Sequence, residues 1–333
     1  MQVGSRVVGW MRPMRSVAFT LLGAVFSGCI SRGVDIVPFL APTAMATLED
    51  LVARVNASKE AHTLVLRVDL QFETVEETEK GKGRQYRTAN GRLLLSRPSS
   101  IRLNIQAPVL SAEIAEMASD GERFQLLIHP PEYRALIMGS NAASYTDEIA
   151  KLQKDPELGK AGPLLNIRPQ HFTSAFLPAV IDEETQAFVH EEQITERDLR
   201  PGAKKNAEVR KSYYVLNAIR RNAEAPHAQF WFDRLESITL VRQRVFDPEG
   251  YLVTDIRYDG FLPPEAADGH SLPARVRIER PNDDYALVVT VRADGIVVNR
   301  DLPENAFVLE VPSEWGESVR RIDLDEKPPL TFN

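Results

Sequence analysis

The chain has 333 residues, 26% of them charged and 43% hydrophobic, with a formal net charge of −7 and a mean hydropathy of −0.25. That balance is ordinary for a globular protein with ample chain for a core, and its acidic sign argues against binding nucleic acid by phosphate neutralisation. The single cysteine, Cys29, excludes an intrachain disulfide.

Arg6, Arg12 and Arg15 precede an apolar run, Val17 to Phe26, and no acid appears before Asp35. A basic start, a short apolar stretch and the small residues Ser27 and Gly28 make residues 1–28 a secretory signal. The run is short for a transmembrane helix. Phe26-Ser27-Gly28-Cys29 resembles the bacterial lipobox, in which the signal is cut before a cysteine that then carries lipid such as palmitate. Phe26 departs from the leucine usual three places before the cysteine, and the other reading is an ordinary signal with an incidental Cys29. Cleavage leaves 305 residues at a formal charge of −10. Such a chain is not a polybasic membrane binder, so membrane attachment would rest on the lipid at Cys29. Ile30 follows the cysteine where an aspartate would retain the protein in the inner membrane, which points to the outer membrane, facing the periplasm. Residues 29–46, with Pro38 and Pro42, read as the lipidated cysteine and a tether, and 47–333 as one domain.

Thr47 caps a predicted helix with Glu49 and Asp50 in its first turn and Leu48, Leu51, Val52 and Val55 on one face. A long alternation follows, with Leu64, Leu66, Val68, Leu70 and Phe72 on one side and Arg67, Asp69, Gln71 and Glu73 on the other. The same period recurs in Ile101-Leu103-Ile105, Phe124-Leu126-Ile128, Leu252-Thr254-Ile256-Tyr258, Val276-Ile278, Tyr285-Leu287-Val289-Val291 and Phe307-Leu309-Val311. Turn signals at Asn90-Gly91, Asp120-Gly121, Pro248-Glu249-Gly250 and Asp294-Gly295 separate them. Strands of this type predict a large, strongly twisted antiparallel sheet. In the middle, Tyr145 to Lys160 reads as a polar helix. A second helix opens at Arg168-Pro169 and runs through Phe172, Phe176 and Leu177 to Pro178. Residues 182–212 are charge-rich and read as a solvated loop or long hairpin tip.

Catalytic signals are missing: no G-x-S-x-G elbow, no Walker loop and no dinucleotide fingerprint. His190-Glu191-Glu192 begins like a zincin motif, but Ile194 stands where the second histidine belongs. The six histidines are scattered singly, which gives no metal site and no cofactor. The acids of Glu76-Glu77-Glu79 and Asp182-Glu183-Glu184 lie in polar stretches that would not raise a carboxyl pKa. The chain reads as a non-enzyme.

Several motifs in order carry a resemblance. Gly91-Arg92-Leu93-Leu94-Leu95-Ser96-Arg97-Pro98 followed by Ile101-Arg102-Leu103, then Ser119-Asp120-Gly121-Glu122-Arg123-Phe124, then Leu164 to Pro178, resemble successive elements of the LolA/LolB superfamily of lipoprotein carriers and receptors. Tyr258-Asp259-Gly260-Phe261, Leu272-Pro273-Ala274-Arg275-Val276, Val298-Asn299 and Phe307 are similar to its closing strands, and Cys29 places the likeness nearer LolB. The resemblance covers about residues 47–312. It implies an α+β fold: a large curved antiparallel sheet, an incomplete barrel, with a helical lid over an apolar face that holds acyl chains.

On that basis the cavity-lining candidates are Leu66, Val68, Leu70, Phe72, Leu103, Ile105, Phe124, Leu126, Phe172, Phe176, Ile256, Val276, Ile278, Leu287 and Val289. The other reading is that helices fill the concavity, as in any α+β core. Pro108-Val109-Leu110-Ser111 stands where LolB-like proteins carry a projecting apolar loop, with Val109 and Leu110 as the projecting pair; a buried turn is the other reading. The implied role is an envelope lipoprotein that binds acyl chains in lipoprotein localisation at the outer membrane, with lipid or lipoprotein acyl chains and a LolA-like carrier as partners. The alternative is a lipid-anchored scaffold that binds a protein and carries no lipid.

Overall fold

The computed structural model describes residues 37–73, 88–108, 112–283 and 285–326. Cys29, Val109 and Leu110 lie outside them. The strands are β1 (Phe39–Leu40), β2 (Thr63–Glu73), β3 (Ala89–Ser96), β4 (Ser100–Gln106), β5 (Glu113–Ser119), β6 (Arg123–Ile128) and β7 (Ala135–Ser140). After the helices come β8 (Thr185–Arg197), β9 (Glu208–Arg220), β10 (Ala228–Asp233), β11 (Thr239–Phe246), β12 (Leu252–Phe261), β13 (Pro273–Arg280) and β14 (Tyr285–Val291). Short β15 (Val297–Val298) and β16 (Arg320–Asp323) complete them. The helices are α1 (Leu48–Asn56), α2 (Thr146–Lys154) and α3 (Pro169–Phe176).

Among the described residues all sixteen strands belong to one sheet, which runs β1-β9-β10-β11-β12-β13-β14-β2-β3-β4-β5-β6-β7-β16, with β8 on β9 and β15 on β2. Pairing is antiparallel except at the ends, where β1 joins β9 and β16 joins β7 in parallel. The sheet is curved and unclosed, with helices over its inner face. This is the expected large curved sheet, an incomplete barrel with helices over its inner face.

Alternation decides which face is buried. Along β2, Leu64, Leu66, Val68, Leu70 and Phe72 are buried while Arg67 is exposed. Register carries that face across neighbouring strands: Leu66 lies opposite Leu93, which lies opposite Leu103, which lies opposite Met117. Helix α3 packs against β4 and β5 on one side and β13 on the other, so it bridges the bowl. Helix α1 closes the remaining end, with Leu51 and Val55 in a separate cluster with Leu216, Phe230 and Phe232 of β9 and β10.

Three expectations change, and of the two readings of 182–212, loop or hairpin tip, the structure has the hairpin. Phe307-Leu309-Val311 is not a strand. Its backbone is served by side chains: Gln125 Oε1 accepts from the Leu309 N–H and the Arg102 guanidinium donates to the Ala306 and Val308 carbonyls. Leu309 packs on the outer face with Leu127 and Leu136. Asn90-Gly91 is not a turn but part of β3, where Gly91 faces Val68 so closely that a Cβ would stand 3.0 Å from Val68 Cγ2. Most of 182–212 is a regular hairpin of two 13-residue strands, β8 and β9, with its turn at 198–207. Residues 37–46 do not hang free: Phe39 pairs with Arg210, and the Thr43 and Ala44 N–H groups donate to the Arg234 carbonyl. By contrast Asp120-Gly121 turns as expected, with Asp120 Oδ1 accepting from the Glu122 and Arg123 N–H groups and Gly121 at φ 107°.

Leu103 is wholly buried in the middle of this face. Leu103→Ala should cost about 2–5 kcal/mol through lost transfer energy and the cavity left behind, measured as a shift of the urea midpoint. A change under about 1 kcal/mol would show that the inner face repacks easily.

Candidate functional site

A mainly apolar opening lies at the seam between the two helical covers. Helix α1 begins with a capping box: Thr47 Oγ1 accepts from the Asp50 N–H at 3.2 Å, and Asp50 Oδ2 accepts from the Thr47 N–H at 2.9 Å. The Thr47 N–H and the Thr47 hydroxyl, both donating to Asp50 Oδ2, hold the Asp50 carboxyl below its usual pKa. The cap fixes the phase that turns Leu51 and Val55 inward. Helix α3 starts with Pro169 at a position where no N–H is needed, and its C-terminal end carries Ala175 and Phe176 to the seam.

Between them is a pocket of about 410 Å³, walled by Val55 and Ala61 from the first cover, Phe176 from the second and Ile238, Leu240, Phe261 and Leu272 from the sheet side. Ser58, Ser237 and Ser271 supply polar edges. Its size falls in the range of small-molecule pockets, and its walls suit an apolar guest. Beneath α3, the Tyr258 hydroxyl lies 3.1 Å from the Ala175 carbonyl oxygen and 2.9 Å from Gln243 Oε1, a buried polar tie between helix and sheet.

Two side chains fasten the covers to each other. Arg97 donates to the Ala61 carbonyl at 3.1 Å, the Ser58 carbonyl at 2.9 Å, Ser58 Oγ at 3.1 Å and the Pro178 carbonyl at 3.1 Å. The guanidinium fork is suited to several carbonyls at once, and partial burial pulls its pKa down. Asn56 forms a reciprocal pair with Ile181: its Nδ2 donates to the carbonyl at 2.8 Å and its Oδ1 accepts from the N–H at 2.9 Å. These bonds tie the segment after α1 to the segment after α3, directly beside the pocket.

All fifteen cavity candidates lie in one buried cluster on the inner face, from Leu66, Val68, Leu70 and Phe72 through Leu103, Ile105, Phe124 and Leu126 to Ile256, Val276, Ile278, Leu287 and Val289. Phe172 and Phe176 of α3 complete it. In this conformation they pack against one another and the helices. Of the fifteen, Phe176 also lines the apolar pocket. Sequence reading passed over Leu240, because Thr239 to Phe246 lacks a clean alternation, and gave Arg97 no role although its motif was visible. His190 sits on the β8 strand beside Asn217, not on a helix as a zincin histidine would be.

Comparison with known proteins finds no match to any protein-family model, and no curated protein matches either. Among solved structures the chain is similar to a DUF1329 family protein from Desulfovibrio piger, with 12% identity, a TM-score of 0.42, and 78% of this chain and 95% of that one covered. It is also similar to a LolA superfamily protein from Nitrosomonas europaea, with 14% identity, a TM-score of 0.40 and coverage of 80% and 99%. A third similarity is to a putative outer membrane lipoprotein-sorting protein domain from Vibrio parahaemolyticus, with 10% identity, a TM-score of 0.39 and coverage of 78% and 95%.

His171 on α3 is wholly buried, and neither ring nitrogen has a hydrogen-bond partner. Its ring packs 5.8 Å from that of Tyr285. Burial, with the Arg280 and Arg168 charges nearby, holds its pKa well below the usual value. The unfolded chain takes up a proton near pH 6.5 that the folded chain refuses. This contribution to stability is therefore full above that pH and is lost as pH falls below it, by up to about 1.4 kcal/mol per pH unit. Wild type should lose urea resistance between pH 7 and pH 5, and His171→Leu should lose distinctly less. Equal slopes would remove His171 from the account.

Proposed function

We propose that the protein carries acyl chains in the pocket at the helical seam and works in the bacterial envelope, anchored by lipid at Cys29 to the outer membrane and handling lipoprotein or lipid there. The observation that carries the reading is the pocket: an apolar space of about 410 Å³ whose two helical walls are fastened by polar bonds from Arg97 and Asn56. Burial of an acyl chain contributes about 0.8 kcal/mol per CH₂, so a guest chain needs no polar chemistry to bind. Parting the Arg97 bonds separates the covers and extends the opening toward the inner face. Transport rather than bond-breaking is the proposed role, with a LolA-like carrier as the donor.

The test is native mass spectrometry of the chain from residue 30 onward, combined with uptake of a fluorescent fatty acid. Co-purified lipid and saturable uptake are expected. Leu240→Trp, which narrows the pocket from the sheet side, should cut uptake at least fivefold at an overpacking cost of about 1–3 kcal/mol. A dry protein that takes up no fatty acid would overturn the carrier. It would favour the scaffold, for which the outer edge of β8, paired with no other strand among the described residues, is the specific surface.

Anchoring is tested separately. Cys29→Ser should abolish incorporation of labelled palmitate and move the protein from the membrane to the soluble fraction. Unchanged fractionation would exclude Cys29 as the anchor.

A further inference from the structure

On the outer face, away from the pocket, three potential ligands converge from two adjacent strands. Glu113 and Glu116 lie on β5, and His129 immediately follows β6. A spacing of three puts two strand residues on opposite faces. Here the register with β4 shifts between Ile105, opposite Ala115, and Gln106, opposite Glu113, so Ile114 is an extra residue. That bulge turns Glu113 to the face already occupied by Glu116, the kind of re-aiming bulges perform beside functional sites.

Each carboxylate is oriented from outside. Asn104 Nδ2 donates to Glu113 Oε1 at 2.9 Å, and Glu113 Oε2 is left 3.6 Å from His129 Nδ1. Arg102 donates to Glu116 Oε2 at 3.0 Å, and Glu116 Oε1 is left 3.9 Å from His129 Nε2. The imidazole is itself positioned, with Trp315 packed edge-on at 5.0 Å and the Arg134 side chain donating to the His129 carbonyl. Its side chain is only 13% exposed, and Nε2 is fully buried with no hydrogen-bond partner. A buried ring nitrogen left unbonded 3.9 Å from a carboxylate oxygen, with a second carboxylate across the ring, calls for a ligand.

We infer that Glu113, Glu116 and His129 bind a divalent transition-metal ion that clamps β5 to the end of β6. One imidazole nitrogen and one oxygen from each carboxylate form the set, and all three ligand atoms lie within 4.8 Å of one another. Donors about 2.1 Å from a common ion are at most about 4.2 Å apart; the 3.9 Å between His129 Nε2 and Glu116 Oε1 meets that limit, and a small shift of the exposed Glu113 side chain brings in the third donor. Imidazole with carboxylates suits Zn²⁺ among common ions. Asn104 and Arg102 act as the outer shell that aims the ligands.

Isothermal titration of the chain from residue 30 onward with Zn²⁺ at pH 7.5 tests the site, with a thermal melt alongside. One equivalent should bind and raise the melting temperature. His129→Gln and Glu113→Gln should each weaken binding at least tenfold. Glu113→Gln leaves the Arg102–Glu116 pair intact, so its loss of affinity is not a loss of that pair. No binding, or binding unchanged in both variants, would overturn the assignment.

Discussion

The sheet has one face that must be covered. Alternation along β2 to β7 and β12 to β14 buries an unbroken apolar surface, and among the described residues three short helices with a few 3-10 turns cover it. Each exposed square ångström of that surface would cost about 25 cal/mol, so the placement of α3 across the bowl is the condition on which the rest of the fold depends. With no polar partner for His171, the helix is held there by packing around Phe172 and Phe176, supplemented by the Tyr258 tie. Two separate covers leave a seam, and the seam is where space remains.

The outer face solves a different problem. It is lined with charge, and its charges are largely paired across strands: Arg67 with Asp294, Arg292 with Asp69, Arg102 with Glu116, Arg242 with Asp255. Exposed pairs such as Arg67 with Asp294 contribute little to stability. Their effect is to keep a broad sheet face polar beside the few places where it is apolar. There the segment from Leu309 to Val319 lies over Leu127 and Leu136. Prolines at 303 and 312 and the Arg102 and Gln125 bonds hold that segment off the ladder, which is why a run that alternates like a strand is not one.

Periodicity made much of this legible. Strands with one buried and one more open face, such as β2 and β4, can be read directly, and so can α1 from its cap and α3 from its bracketing prolines. What stayed hidden depends on neighbours distant in the chain. β8 carries no buried residue, so its composition reads as solvated loop although all 13 of its residues pair with β9. β1 is two residues long and exists only because β9 offers an edge. The apolar face was read correctly as a face, but whether it is filled or open is a matter of where α3 sits, which no local pattern states. The single histidines looked unconnected because a bulge, invisible in sequence, is what brings Glu113 beside Glu116 and His129.

The two covers differ in how they are rooted. Helix α3 belongs to the main inner cluster, whereas α1 packs in a smaller cluster with β9 and β10. Displacing α3 therefore strips apolar surface from the centre of the bowl. Separating the segment after α1 from Pro178 and Ile181 breaks hydrogen bonds, each contributing about 0.5–1.5 kcal/mol, or somewhat more where Arg97 supplies the charge, together with the packing of Ile181 on Leu51 and Val55. Local opening is drawn from the least stable contacts. The seam beside Arg97 and Asn56 is thus where the proposed opening would part the covers, with α1 moving together with its own cluster.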